Sequence, residues 1–227
     1  CVFASKRDAL QQRLEQRWSP DGRALALLSV RSGFDLLLQH LALPRGSEIL
    51  VSAITIRDMV DIIENHGLIA VPVDPERRTS AVLPQTLERA ITPNCKAILV
   101  AHLFGSRMAM DGIVDVARRH RLFLFEDCAQ AFAADGYRGH AGSDVAMFSF
   151  GTIKTATALG GALFNFRDAA LRAAIAARRQ SQPVQPRMTF LCKAMKIALL
   201  HALSCRLPYS IFVLMCGALG INHDRVI

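Results

Sequence analysis

Hydrophobic positions in this chain come in short closed runs rather than in one long stretch, and between the runs they recur with the period of a helix. The runs Arg23 to Val30, Glu48 to Ser52, Ile69 to Val73, Ala97 to Ala101, Leu122 to Phe125, Asp144 to Phe150 and Ala162 to Phe166 are predicted strands. The stretches Lys6 to Arg17, Phe34 to Leu43, Ile56 to His66, Pro84 to Ile91, Met110 to His120 and Asp168 to Arg179 are predicted helices. Local signals agree with these bounds: Gly67 stops one helix, Pro84 suits the first position of another, and Asp168 is a cap. Strands alternating with helices predict an α/β protein with a mostly parallel sheet, helices on both faces and right-handed crossovers.

The pattern changes after residue 180. Ser181 to Pro186 breaks the chain, and Thr189 to Leu203 and Tyr209 to Leu219 follow as two helices more apolar than a surface helix needs. The expected division is a large domain over 1–180 and a helical segment over 181–227. The apolar tail invites either packing on further protein or peripheral contact with a membrane along 189–221. Its longest mainly apolar run, Tyr209 to Ile221, is too short to span a bilayer.

Composition narrows the class. With 227 residues, 52% of them apolar, the chain can bury a full core. It opens on Cys1 and ends on Arg225-Val226-Ile227, which leads us to expect a fragment. No secretory signal pattern is seen at its start, so a cytoplasmic setting is expected. Six cysteines show no CxxC or metal-ligand spacing and read as reduced, mostly buried thiols, with no metal implied. The net charge of +8 gathers toward the two ends, as solvated helix faces or as contacts for anionic ligands or lipid head groups. Basic residues not interleaved with aromatics speak against nucleic acid, and the lack of GxGxxG or GxxxxGK[ST] speaks against a dinucleotide fold or a P-loop.

The candidate chemistry lies in Arg121 to Gly161. A buried strand ends at Glu126-Asp127, which puts a carboxylate at the carboxyl edge of the sheet, where open α/β folds bind ligands. The strand Asp144 to Phe150 then leads through Gly151 to Lys154, an isolated lysine, with Ser149 between acid and amine in sequence. Such a set suits a carbonyl cofactor held on a primary amine. Upstream, Arg31-Ser32-Gly33 before Phe34 reads as a glycine turn opening a helix, a natural anion site. Asp35 in that first turn is an alternative occupant of its positive end. His102, at the end of a strand, either approaches the site or is a satisfied histidine; Cys128 reads as small core packing.

From about Ser29 to Phe166 the chain resembles the DegT/DnrJ/StrS type of pyridoxal-phosphate-dependent sugar aminotransferases. The resemblance rests on RSGFDLLL, GSEILVSAITI, VPVD, AITPNCKAILVAHLFG, FEDCAQAF, YRGHAGSDVAMFSF and KTATALGG in the family's order. It implies a fold-type I, aspartate-aminotransferase-like large domain, a homodimer, pyridoxal 5'-phosphate as cofactor and a setting in polysaccharide biosynthesis. It implies transfer of an amino group from an amino acid, glutamate by expectation, to a nucleotide-linked keto-sugar. Carried over, Lys154 is the catalytic Schiff-base lysine and Asp127 the partner of the pyridine nitrogen. Gln130 contacts the ring hydroxyl, and Ser149 with the backbone of Gly33 and Phe34 binds the phosphate. Three positions depart from the family: Phe34 stands for threonine, Ile56 for an aromatic ring-stacker, and Ala158-Leu159-Gly160-Gly161 for GEGG. The rival readings are sugar dehydration, against which Lys154 stands because that branch carries histidine there, and a cofactor-binding or scaffolding role without turnover.

Overall fold

A computed structural model of the protein describes residues 7–154 and 156–219; the expected helix start at Lys6 and the tail at Ile221 lie outside them. The described residues form two compact units, one ending at Gln182 and the other beginning at Pro183.

The first unit is built on seven strands: β1 (Ala24–Leu27), β2 (Glu48–Ser52), β3 (Ile69–Val73), β4 (Cys95–Ala101), β5 (Phe123–Asp127), β6 (Val145–Ser149) and β7 (Ala162–Phe166). They lie in the order β1-β7-β6-β5-β4-β2-β3. All neighbouring pairs are parallel except those made by β7, which runs against both β1 and β6. The carboxyl ends of β1, β4, β5 and β6 therefore share one edge. Six helices follow the strands or precede them: α1 (Arg7–Trp18), α2 (Val30–Leu41), α3 (Arg57–Asn65), α4 (Pro84–Ala90), α5 (Asp111–Arg119) and α6 (Ala169–Gln180). The mostly parallel sheet with helices on both faces is the expected architecture.

Period-2 alternation decides which face each strand residue serves. Phe125, Met147 and Phe164 pack with α2, α3 and α6 in one core, where Phe34 meets Phe125 edge to face at 5.1 Å. Leu124, Ile98 and Val100 pack with α4 and α5 on the other face. Phe148 and Ala146 share that second side with Trp18 at the end of α1, whose ring lies 5.2 Å from Phe148. The same alternation assigns Asp127 and Ser149 to the α2 face and Glu126 to the opposite one.

The helix after β1 differs from the sequence reading. The strand stops at Leu27 and α2 starts at Val30, four residues before Phe34, because Ser29 and Ser32 form a reciprocal capping box. Gly33 is a helical residue and not a turn. A Cβ there would come within 2.5 Å of the Phe164 ring and 2.6 Å of Leu27, so glycine is what lets α2 lie close on the sheet.

Part of the basic surplus is neutralised within this unit. Glu15 of α1, nearly buried, receives Arg172 at 2.8 Å and Arg179 at 3.1 Å from α6, together with the Ala26 N–H at 2.9 Å. The charged faces of α1 and α6 are thus clamped to each other and to β1.

The second unit holds α7 (Arg187–Leu203) and α8 (Arg206–Ala218). No single helix among the described residues is long and apolar enough to cross a membrane, although these two taken together, bent by 102°, have the length and apolar composition for it. Cys192 and Cys205 in this unit are exposed thiols, whereas Cys95, Cys128 and Cys216 are buried.

Candidate active site

Asp127 ends β5 opposite Met147 of β6, and Ser149 ends β6 two residues further along, so both side chains reach the same edge on the α2 face. The chain then turns at Gly151, whose carbonyl accepts the Lys154 N–H at 3.1 Å. It returns at once: Ala158 and Gly160 donate to the Phe150 carbonyl, and Phe150 donates to that of Gly161, each at 3.0 Å. These bonds tie the two ends of the loop that carries Lys154 to each other just past β6. Leu159, in place of the family's acidic residue, sits in the left-handed region at φ 62°.

The three polar groups brought together are incompletely partnered. Asp127 Oδ1 accepts the Ala129 N–H at 2.8 Å, and no hydrogen bond reaches Oδ2, the Ser149 hydroxyl or the Lys154 ammonium among the described residues. Burial pushes the Asp127 carboxyl above its usual range, opposed by the Ala129 N–H and by the nearby charge of Lys154. A half-enclosed acid, hydroxyl and amine with unfilled valences at one sheet edge fit a ligand with a basic ring nitrogen, an anionic tail and a carbonyl carbon.

Gln130 follows Asp127 by three residues and is exposed; its Oε1 accepts the Phe104 N–H at 3.1 Å, which leaves the side-chain NH2 free to donate.

Gly33 and Phe34 do not meet their expected role. The Gly33 N–H donates to the Ser29 carbonyl at 3.1 Å, and Phe34 is fully buried in the core. With Ser29 and Ser32 N–H groups taken by the capping box, the N–H groups at the open end of α2 are those of Val30 and Arg31. Leu27, the last residue of β1 before this helix, is in register with Ser149 through Ala162 of β7, two strand spacings of about 4.8 Å away. Asp35 does not occupy the helix end either, since His66 Nε2 holds it at 2.8 Å. Arg31 pairs with Asp58. Ile56 precedes α3 and is 55% exposed, an aliphatic surface where an aromatic clamp was expected.

Directly behind Asp127 is a network that the sequence reading missed. Glu126, fully buried, accepts His102 Nε2 at 2.9 Å and Tyr137 Oη on one oxygen, Ser143 Oγ at 2.6 Å and the His140 N–H at 2.8 Å on the other. Burial would raise this carboxyl, but the donors hold it down at about 2. Met108 N–H donates to His102 Nδ1 at 3.2 Å, so the proton sits on Nε2 and His102 is a satisfied histidine. Its backbone N–H also donates to the Asp127 carbonyl at 3.0 Å, tying the ends of β4 and β5 together. Gly139 makes the approach possible, for a Cβ there would strike Ala146 at 2.1 Å. His102, Glu126 and Cys128 offer ligand atoms within 4.8 Å of one another. Burial and the two neighbouring carboxylates push the Cys128 thiol well above its usual range.

Fold and site together define an α/β protein with an acid, a hydroxyl and a loop-borne primary amine toward the carboxyl edge of its sheet. The model of the DegT/DnrJ/EryC1/StrS aminotransferase family matches residues 6–197, and the chain belongs to that family. It is 40% identical over 139 residues to the erythromycin biosynthesis sensory transduction protein EryC1 of Saccharopolyspora erythraea, covering 59% of this chain and 38% of that one. It is 39% identical over 129 residues to the dTDP-3-amino-3,4,6-trideoxy-alpha-D-glucose transaminase of Streptomyces venezuelae, covering 54% and 34%. Among solved structures it is similar to S. venezuelae DesV in complex with a ketimine intermediate. That likeness has a TM-score of 0.67 and 29% identity, and covers 77% of this chain and 49% of that one. The chain spans about a third of the length of these curated relatives and about half of the solved one.

Proposed function

We infer that the chain is the cofactor-binding part of a pyridoxal-phosphate-dependent aminotransferase. It would take an amino group from an amino acid, glutamate in this reading, and pass it to a nucleotide-linked keto-sugar. The observation that supports this most is the convergence of Asp127, Ser149 and Lys154, each with an unfilled valence, at one sheet edge in a chain of this family.

When bound, pyridoxal phosphate supplies an electron sink for the donor's α-carbon. Lys154 Nζ would hold the cofactor at its aldehyde carbon and, once displaced by the donor, carry a proton to and from the α-carbon. Asp127 would keep a proton on the ring nitrogen, an interaction strengthened by the water-poor edge it occupies. Ser149 Oγ and the Val30 and Arg31 N–H groups would take the phosphate, in place of Gly33 and Phe34. The Gln130 NH2 would donate to the ring hydroxyl. A homodimer, a cytoplasmic setting and a role in polysaccharide biosynthesis belong to the same proposal.

The test is a half-reaction. Adding glutamate to the cofactor-loaded protein is expected to release the keto acid and remove the visible absorbance of the amine-bound cofactor. The exposed aliphatic Ile56 favours the second reading, cofactor binding without turnover. Bound cofactor that no amino acid can aminate would establish that reading and exclude the first. Dehydration is disfavoured by the lysine at 154.

A further inference from the structure

The tail helices carry apolar faces that their own unit leaves uncovered. On α8, Leu207, Ile211, Leu214, Met215 and Ala218 fall at i, i+4, i+7, i+8 and i+11, the spacing that in a globular protein turns toward a core. Here all five are exposed, Leu207 and Leu214 by more than 70%. On α7, Met188, Met195 and Leu199 repeat at i, i+7 and i+11 and are likewise exposed, while Phe190, Ile197 and Leu200 on the other side are half-buried. A helix apolar on both sides asks for cover on both.

Charge identifies the cover. The two helices hold Arg187, Lys193, Lys196 and Arg206 and neither an aspartate nor a glutamate; the sequence from 169 to 223 has no acidic residue at all. Lys193, Lys196 and Arg206 have no ion-pair partner among the described residues. A second copy of the chain would bring the same positive face to the contact and be repelled.

Length excludes a simple span. At 1.5 Å per residue α7 is about 26 Å long and α8 about 20 Å, both short of a hydrocarbon core of ~30 Å, and the chain bends by 102° between them. Apolar side chains at the acyl boundary with lysine and arginine stems reaching up to phosphate is the arrangement of a helix lying in the interface. We propose that α7 and α8 are a peripheral anchor that binds the surface of an anionic lipid bilayer. This goes beyond the aminotransferase reading and does not depend on it.

Vesicle co-sedimentation tests it, using phosphatidylcholine alone and phosphatidylcholine with roughly a third phosphatidylglycerol. The protein is expected to pellet with the anionic vesicles, weakly with the neutral ones, and less at high salt. Ile211→Glu combined with Met215→Glu is expected to abolish pelleting. Lys193→Gln with Lys196→Gln is expected to weaken it by roughly ten- to thirty-fold. Circular dichroism should be unchanged in both, since the substituted side chains are exposed. Absence of pelleting with anionic vesicles, or pelleting that survives the glutamate pair, overturns the proposal. Self-association in size exclusion that the glutamate pair removes, without vesicle binding, overturns it in favour of a contact between copies.

Discussion

Replacing Lys154 by alanine is expected to lower the rate of amino-group transfer by at least about a thousand-fold while leaving the fold intact. The side chain lies in a loop, makes no hydrogen bond or ion pair among the described residues, and packs into neither sheet core. Its loss should therefore cost little stability. What it removes is the amine that would carry the cofactor and the base positioned at the donor's α-carbon, and a positioned general base alone is worth roughly 10²–10⁴ in rate. Single-turnover kinetics with glutamate, beside far-ultraviolet circular dichroism, measure the two effects separately. A variant with native-like dichroism and a rate within tenfold of the parent would remove Lys154 from the reaction.

The second large effect is one of stability. Glu126→Ala is expected to destabilise the protein by about 3–5 kcal/mol, because His102, Tyr137, Ser143 and the His140 N–H would lose their common acceptor in a dry interior. At about 2–4 °C per kcal/mol for a domain of this size, the melting point should fall by roughly 6–20 °C. The pH dependence has a definite sign. The carboxyl is held at about 2 when folded, below its ordinary value of 4.5, so its contribution is fully present above about pH 5 and is lost as pH falls toward 2. Linkage of that size corresponds to on the order of 3 kcal/mol. Glu126→Gln should remove much of this acid-side slope between pH 5 and 2, which urea denaturation across that range would show. An unchanged slope would mean that the network does not hold Glu126 ionised.

Much of this was legible in the sequence, and the exceptions have physical causes. Pro84 and Asp168 marked two helix starts correctly because each acts through its own backbone or the next few residues: Pro84 fills the first helical position, and Asp168 accepts the Ala170 N–H. The acid closing β5 was legible because a carboxylate after a wholly apolar run has few other places to go. The start of α2 was not. Gly33 looked like a turn, whereas the Ser29 and Ser32 capping box set the boundary, and the glycine answers to the Phe164 ring, 131 positions away in the chain. That kind of constraint leaves no local trace.

Glu126 was readable in principle and overlooked in practice. Alternation along Phe123 to Asp127 puts Glu126 and Asp127 on opposite faces, so the two acids could not serve one site. Its partners come from two segments, His102 after β4 and the loop from Tyr137 to Ser143, and no spacing rule connects them. The paired Glu15, Arg172 and Arg179 were hidden in the same way, and what had looked like unbalanced charge on α1 and α6 is an internal clamp.

The account rests on Lys154 being the residue to which the cofactor attaches, and one measurement addresses that directly. The protein is loaded with pyridoxal 5'-phosphate, reduced with borohydride, digested and mapped by mass spectrometry. The predicted result is a single reduced adduct on the peptide containing Lys154, at one per chain. Adducts spread over Lys6, Lys96, Lys193 and Lys196 with none at Lys154, or no adduct at all, would contradict it.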